Sequence, residues 1–243
     1  MLVLALDAAL ARCSATLVDD VRVVAARRVD GARGQAALAG MVQSVFADAG
    51  VCPDALDGVA VTVGPGSFTG LRSAIALAHG VALGVGCPVV GVSVAEALAA
   101  GAAGLGVRSP GVQSPGVRSL GVQSPGVRSL GGRALWVAID SRRGRVFLTR
   151  EGVAASVALA DLPRPAGPIA VAGDAAIAVF AWLAARGCDV MLSDARLPDG
   201  GDIAAVGMRR LRHEIPPLAA QPLYIDPPEA RLPAGGLRPA PGA

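Results

Sequence analysis

Nine consecutive residues carry the most chemical potential in this chain: Gly64-Pro65-Gly66-Ser67-Phe68-Thr69-Gly70-Leu71-Arg72. They follow an apolar strand-like run, Val59–Val63, and open an Ala-rich helical stretch. A strand, a glycine-rich turn and a helix N-terminus bring backbone N–H groups to one point, where they can face an anion or a partner. Gly64, Gly66 and Ser67 are therefore candidate anion contacts. The competing reading is a tight turn whose glycines satisfy only its own backbone geometry. Other chemistries find little support. His79 and His213 are the two histidines, and their positions match no metal-binding spacing. Cys13, Cys52, Cys87 and Cys188 form no C-x-x-C pair, so zinc and redox motifs are unsupported; they read as reduced thiols in a cytosolic core. No serine sits in a nucleophile elbow. No metal site and no catalytic residue is expected.

These residues need a scaffold, and the composition supplies one. Of 243 residues, 53% are hydrophobic and only 3% aromatic, so the core must form by close approach of Ala, Val and Leu. The net charge is +3, and three arginines of residues 106–130, Arg108, Arg118 and Arg128, account for it. The rest is neutral and carries no electrostatic footprint for tight nucleic-acid binding by itself. The N-terminus lacks a basic region and reaches Asp7 too soon for a signal peptide. Residues 74–105 are apolar but interrupted by His79, Pro88, Ser93, Glu96 and glycines, which reads as helix, strand, helix and not as a membrane span.

The pattern predicts strands at Leu2–Leu6, Cys13–Val18 and Val21–Arg28, then a helix over Gln35–Ala49 stopped by Gly50. A strand at Val59–Val63, a helix at Leu71–Leu83 and a strand at Val89–Val92 follow. Ser93 and Glu96 form a capping box that opens a third helix. Residues 106–130 are five tandem units, GVRSP, GVQSP, GVRSL, GVQSP and GVRSL, whose period sustains neither helix nor buried strand; a disordered linker is expected. Beyond it, strands at Ala134–Asp140, Arg145–Arg150, Ile169–Ala172 and Asp189–Leu192, with helices at Ala175–Arg186 and Asp202–Arg212, read as a trimmed second copy of the first half. The expected divisions are 1–105, the linker 106–130, a C-terminal unit 131–226 and a disordered tail 227–243.

The full nine-residue string resembles the signature of the TsaB (YeaZ) family. The order of strands and helices resembles the ribonuclease-H-like half of the actin–sugar kinase–heat-shock ATPase (ASKHA) superfamily. The implied fold class is α/β, a ribonuclease-H-like or actin-like ATPase fold of two halves, the second trimmed. In active members the first strand ends in an Asp followed by hydroxyl and glycine residues that bind phosphate and magnesium. Here Asp7 is followed by Ala8, Ala9 and Leu10, whereas TsaB relatives usually carry Asp-Thr-Ser. Asp7 is a nucleotide candidate only through this resemblance; the competing role is to bond the backbone of the next turn. The string from Asp140 to Phe147 resembles a family hairpin, with Arg142 a candidate anion contact against a reading of solvated arginines. The histidine pair with which the catalytic relative TsaD binds metal is absent. Gln221-Pro222-Leu223-Tyr224-Ile225 resembles the family's closing strand, with Asp226 where Arg is usual.

The resemblance implies a cytoplasmic, non-catalytic scaffold that binds TsaD. TsaD transfers the threonylcarbamoyl group to the adenosine beside the anticodon of ANN-decoding tRNAs. It also implies docking of the ATPase TsaE, a competing homodimer, contact with tRNA only through the complex, no cofactor of its own, and possible ATP or ADP at the partner interface. The helix after the glycine-rich turn supports an interface independently. One side carries Ser73, Ala76 and Gly80 at i, i+3 and i+7, small enough for close helix approach, with Phe68 and Arg72 at its start. Its rival is a core helix covered by the second half of the same chain. Two other functions compete: an active small-molecule kinase or ATPase of this superfamily, which needs the phosphate-binding residues missing after Asp7, and a structural module bound through the repeat.

Overall fold

The computed structural model describes residues 1–20, 22–31, 34–107 and 130–226. The expectations for the linker core, 108–129, and for the tail, 227–243, lie outside the described residues. The first half forms a five-stranded sheet from β1 (Leu2–Asp7), β2 (Arg12–Asp19), β3 (Arg22–Asp30), β4 (Gly58–Gly64) and β5 (Val89–Ser93), in the order β3-β2-β1-β4-β5. The first three strands run antiparallel, and β4 and β5 run parallel to β1. Two crossover helices, α1 (Gly34–Ala49) and α2 (Phe68–Val85), supply the parallel connections. α3 (Val94–Ala103) leaves β5 through the expected capping box: the Ser93 hydroxyl accepts from the Glu96 N–H, and the Glu96 carboxylate accepts from the Ser93 N–H.

The second half repeats this plan. β6 (Ala134–Asp140), β7 (Arg145–Arg150), β8 (Val153–Ala158), β9 (Ile169–Ala172) and β10 (Val190–Leu192) form a sheet in the order β10-β9-β6-β7-β8. Three antiparallel strands again meet two parallel ones. The trimming is local: where the first half has α1, the second has only a 3-10 turn at Leu159–Asp161, while α4 (Ala176–Ala184) joins β9 to β10. β8 was not expected from the sequence.

Strand β1 is buried on both faces, Val3 to Asp7 being fully inaccessible. Leu4 and Leu6 pack beneath α1 and α2, with Leu38, Val45, Leu71 and Ala78. Val3 and Ala5 face α5 (Gly200–Leu211) through Ile203 and Ala204. The last helix of the second half thus lies across the first sheet. Glycine makes the approach possible, since a Cβ on Gly200 would overlap Thr16, and one on Gly207 would overlap Ala60. The buried Arg210 fixes the helix end. Its guanidinium donates to the Gly91 carbonyl (2.7 Å), the Pro216 carbonyl (2.8 Å) and the Glu96 carboxylate (2.7 Å). The chain then follows the first half: Gly91 N–H donates to the Leu218 carbonyl, and Leu223 N–H to the Val63 carbonyl.

Candidate functional site

The glycine-rich turn joins β4 to α2 as expected, and Ser67 is the N-cap, its hydroxyl accepting from the Gly70 N–H at 3.2 Å. Part of its backbone is engaged by the chain itself, however. Ser67 N–H donates to the Ala9 carbonyl at 2.7 Å. Gly66 lies so close to that carbonyl that a Cβ would overlap it. Gly64 is buried, with positive φ (116°), against Leu71 and the Leu223 carbonyl. The turn is therefore a seal over the end of β1.

Asp7 sits beneath that seal with no accessible surface. Its Oδ1 accepts from Ala9 N–H (3.0 Å) and from the Thr62 hydroxyl (2.6 Å), so it bonds the backbone of the next turn. Its Oδ2 has no partner. Burial pushes the Asp7 carboxyl up to about 6, against the opposing effect of those two hydrogen bonds and of Arg12. Burial, helped by the Asp7 charge, also raises the Cys13 thiol. As placed, Asp7 presents no surface to solvent.

Arg142 stands in the β6–β7 hairpin with φ 61°, its N–H donating to the Asp140 carboxylate (2.8 Å) and its side chain largely exposed. Asp174 joins this hairpin by accepting from Asp140 N–H, and burial, with the Asp140 charge, raises its carboxyl. Arg142 is not brought together with Asp7 by any shared contact among the described residues. A cleft of about 320 Å³ opens elsewhere, between Arg12, Gly101 and the 194–199 loop. Asp194, Asp199 and Asp202 line it with Arg12 and Arg196, which disfavours an anion. No group of three or more potential metal-ligating side chains occurs among the described residues. The four cysteines are free, but Cys52 is exposed and not in the core.

The other five residues come together on the outside of α2. Leu71, Ala74, Ile75, Ala78 and Ala82 face the sheet. Phe68, Arg72, Ser73, Ala76 and Gly80 are all exposed, so this face is not covered by the second half of the chain. Nothing lies within 4 Å of a Cβ placed on Gly80. The stripe runs on to Leu83, which is 86% exposed, one i+3 step beyond Gly80. That spacing was readable, although Leu83 was not singled out. The Arg72 guanidinium lies 3.8 Å from the Phe68 ring centre, and its Nε donates to the Tyr224 hydroxyl at 3.2 Å. Tyr224, 49% exposed, extends this face from the C-terminal segment, a contact no local pattern announces. His79 tethers the same segment through a hydrogen bond with the Ala220 carbonyl (3.0 Å). By length and composition α2 could cross a membrane, and it is the one such helix among the described residues.

The architecture is an α/β fold of two mixed five-stranded sheets with helices packed on them. Two solved structures share it over nearly the whole chain. YeaZ from Pseudomonas aeruginosa is 23% identical, with a TM-score of 0.66 over 92% of this chain and 100% of its own. A Pseudomonas aeruginosa protein described as similar to peptidase YeaZ is 24% identical, with a TM-score of 0.67 over 93% and 99%. In sequence, the Escherichia coli tRNA threonylcarbamoyladenosine biosynthesis protein TsaB is 36% identical over 102 residues, 42% of this chain and 44% of its own length. A tRNA N6-adenosine threonylcarbamoyltransferase from Paracoccus denitrificans is 48% identical over 52 residues, 21% of this chain and 15% of its own. The family model for TsaD, tRNA N6-adenosine threonylcarbamoyltransferase, matches residues 33–117. The matches to curated relatives thus span less than half of those relatives' lengths. The likenesses in sequence and in fold together support the TsaB (YeaZ) family.

Proposed function

We propose that this protein takes part in tRNA threonylcarbamoyladenosine biosynthesis as a non-catalytic partner of a TsaD-like transferase, and that the exposed face of α2 is its docking surface. The observation that carries the reading is that face. An 18-residue helix places Phe68, Ala76, Gly80 and Leu83 at the surface, with small residues where a second helix would cross. The sealed Asp7 supports the non-catalytic role, because the carboxylate that would meet phosphate and magnesium in an active relative is enclosed by the chain's own turn. On this reading the same face serves a homodimer that competes with TsaD. TsaE joins the pair, tRNA is met only through the complex, any ATP or ADP sits at the partner interface, and the site of action is the cytoplasm.

The test is Gly80→Arg, with Ala76→Arg as a second variant. Both positions are exposed, so the folded chain tolerates the longer side chain. The variants should melt like the parent, elute as monomers, and fail to co-purify with a co-expressed TsaD. Folded variants that still self-associate and still bind TsaD refute the placement.

A further inference from the structure

The two sheets have four edges, and three of them are closed to further strands. β3 bears Arg22, Arg27, Arg28 and Asp30. The Gly91 N–H and carbonyl of β5 are used by Leu218 and Arg210. β10 is three residues long. β8 is different: Val153-Ala154-Ala155-Ser156-Val157-Ala158 carries no charge and no proline, and Val153 is 68% exposed.

The hairpin geometry says which groups of β8 face outward. Glu151 and Gly152, with φ of 51° and 78°, form a two-residue loop of the I′ kind between Arg150 and Val153. Arg150 and Val153 are then a hydrogen-bonded pair. Alternation along the ladder turns the N–H and carbonyl groups of Ala154, Ser156 and Ala158 to the open side. The central one is occupied. Arg145, on β7 opposite Ala158, reaches diagonally across and donates from Nη2 to the Ser156 carbonyl (2.7 Å) and from Nε to the Ser156 hydroxyl (2.9 Å).

We infer that Arg145 is a latch on a docking edge, and that the strand it covers pairs with β8 of a second copy when the latch is released. A second copy fits because the outward groups are self-complementary. An antiparallel pair centred on Ser156 sets Ser156 against the partner's Ser156 and Ala154 against the partner's Ala158. Val153 then opposes the partner's Leu159. No charge lies between Gly152 and Ala160, so no like charges meet within the paired stretch. With the guanidinium in place the central carbonyl is spent, and a charged group stands at the edge, which disfavours pairing. The surface is distinct from the α2 face and does not depend on the proposed function.

The experiment compares the full-length parent, Arg145→Ala and Arg145→Met by sedimentation at matched concentrations. Arg145→Met keeps the side-chain stem and removes only the donors, which guards against a packing defect. Both variants should melt like the parent and show twice its mass at concentrations where the parent's mass is unchanged. Adding Ser156→Pro, which removes the central outward N–H at an edge that tolerates proline, should return the parent's mass. In Arg145→Ala, a Ser156→Cys substitution should give an intermolecular disulfide between the two copies of residue 156, read by mass spectrometry of non-reduced peptides. An Arg145→Ala chain with the parent's mass, or a doubled mass that survives Ser156→Pro, overturns the inference.

Discussion

Replacing Asp7 by asparagine tests the sealed end of β1 most directly. The carboxyl is displaced from an ordinary 3.8 to about 6, with burial as the main cause. At about 1.36 kcal/mol per pH unit, the displacement corresponds to roughly 3 kcal/mol. The sign follows from which state holds the proton. Below about pH 4 the group is protonated in both states and adds no pH dependence. Between about pH 4 and pH 6 the unfolded chain releases a proton that the folded chain keeps, so stability falls as pH rises. Above that window the penalty is constant. Asp7→Asn keeps an oxygen for Ala9 N–H and the Thr62 hydroxyl and cannot ionise. Its amide nitrogen takes the unpartnered place of Oδ2, at a pH-independent cost of about 1–3 kcal/mol. Urea unfolding across this range should therefore show the variant gaining about 3 kcal/mol on the parent between acid and neutral pH, whatever its offset at the acid end. Parallel stability curves for the two proteins would mean that Asp7 does not titrate as a sealed group, and the argument against a phosphate site at β1 would fail with it.

Other changes probe the neighbouring contacts. Gly66→Ala drives a methyl group into the Ala9 carbonyl and should cost about 1–3 kcal/mol, read as a lower melting temperature, while Gly80→Ala, with open space in a helix interior, should add about 0.5–1 kcal/mol of stability. Arg210→Met should lower stability by about 3 kcal/mol at neutral pH, near the low end for breaking a buried pair, since Glu96 keeps Ser93 as a partner. Burial alone would raise the Glu96 carboxyl, but Arg210 and Ser93 together hold it below its ordinary range. The stability from this pairing is therefore present above the ordinary glutamate range and lost as pH falls through the lower folded value, so the gap between the parent and Arg210→Met should narrow in acid and keep the part owed to the Gly91 and Pro216 carbonyls.

The first half was legible because its signals are local. β1, β4 and β5 are short apolar runs, and Gly50 and Ser93 mark helix ends in sequence as in structure, whereas α2 runs from Phe68 to Val85, beyond the expected Leu71–Leu83 at both ends. β8 escaped because Val153, Ala155 and Val157 alternate with alanine and serine, which gives too little contrast for a period of two. The two sides of α2 were separable by side-chain size, but size alone could not show whether the second half covers the small side. Its exposure is a tertiary fact, fixed by where α5 goes.

The course of α5 also explains why the site did not come out as drawn from sequence. The helix pattern of 200–211 says that one face is apolar, not which sheet receives it. By lying under β1 and β4, α5 completes the burial of the first sheet, with Gly207 against Ala60 and Arg210 against Glu96. The chain that follows must then run along the β5 edge and past the glycine-rich turn, which brings Leu223 to Val63 and Tyr224 to Arg72. The same path that helps close the turn over Asp7 therefore adds Tyr224 to the exposed surface beside Phe68. The enclosed end of β1 and a wider apolar face at the start of α2 are two consequences of one chain trace.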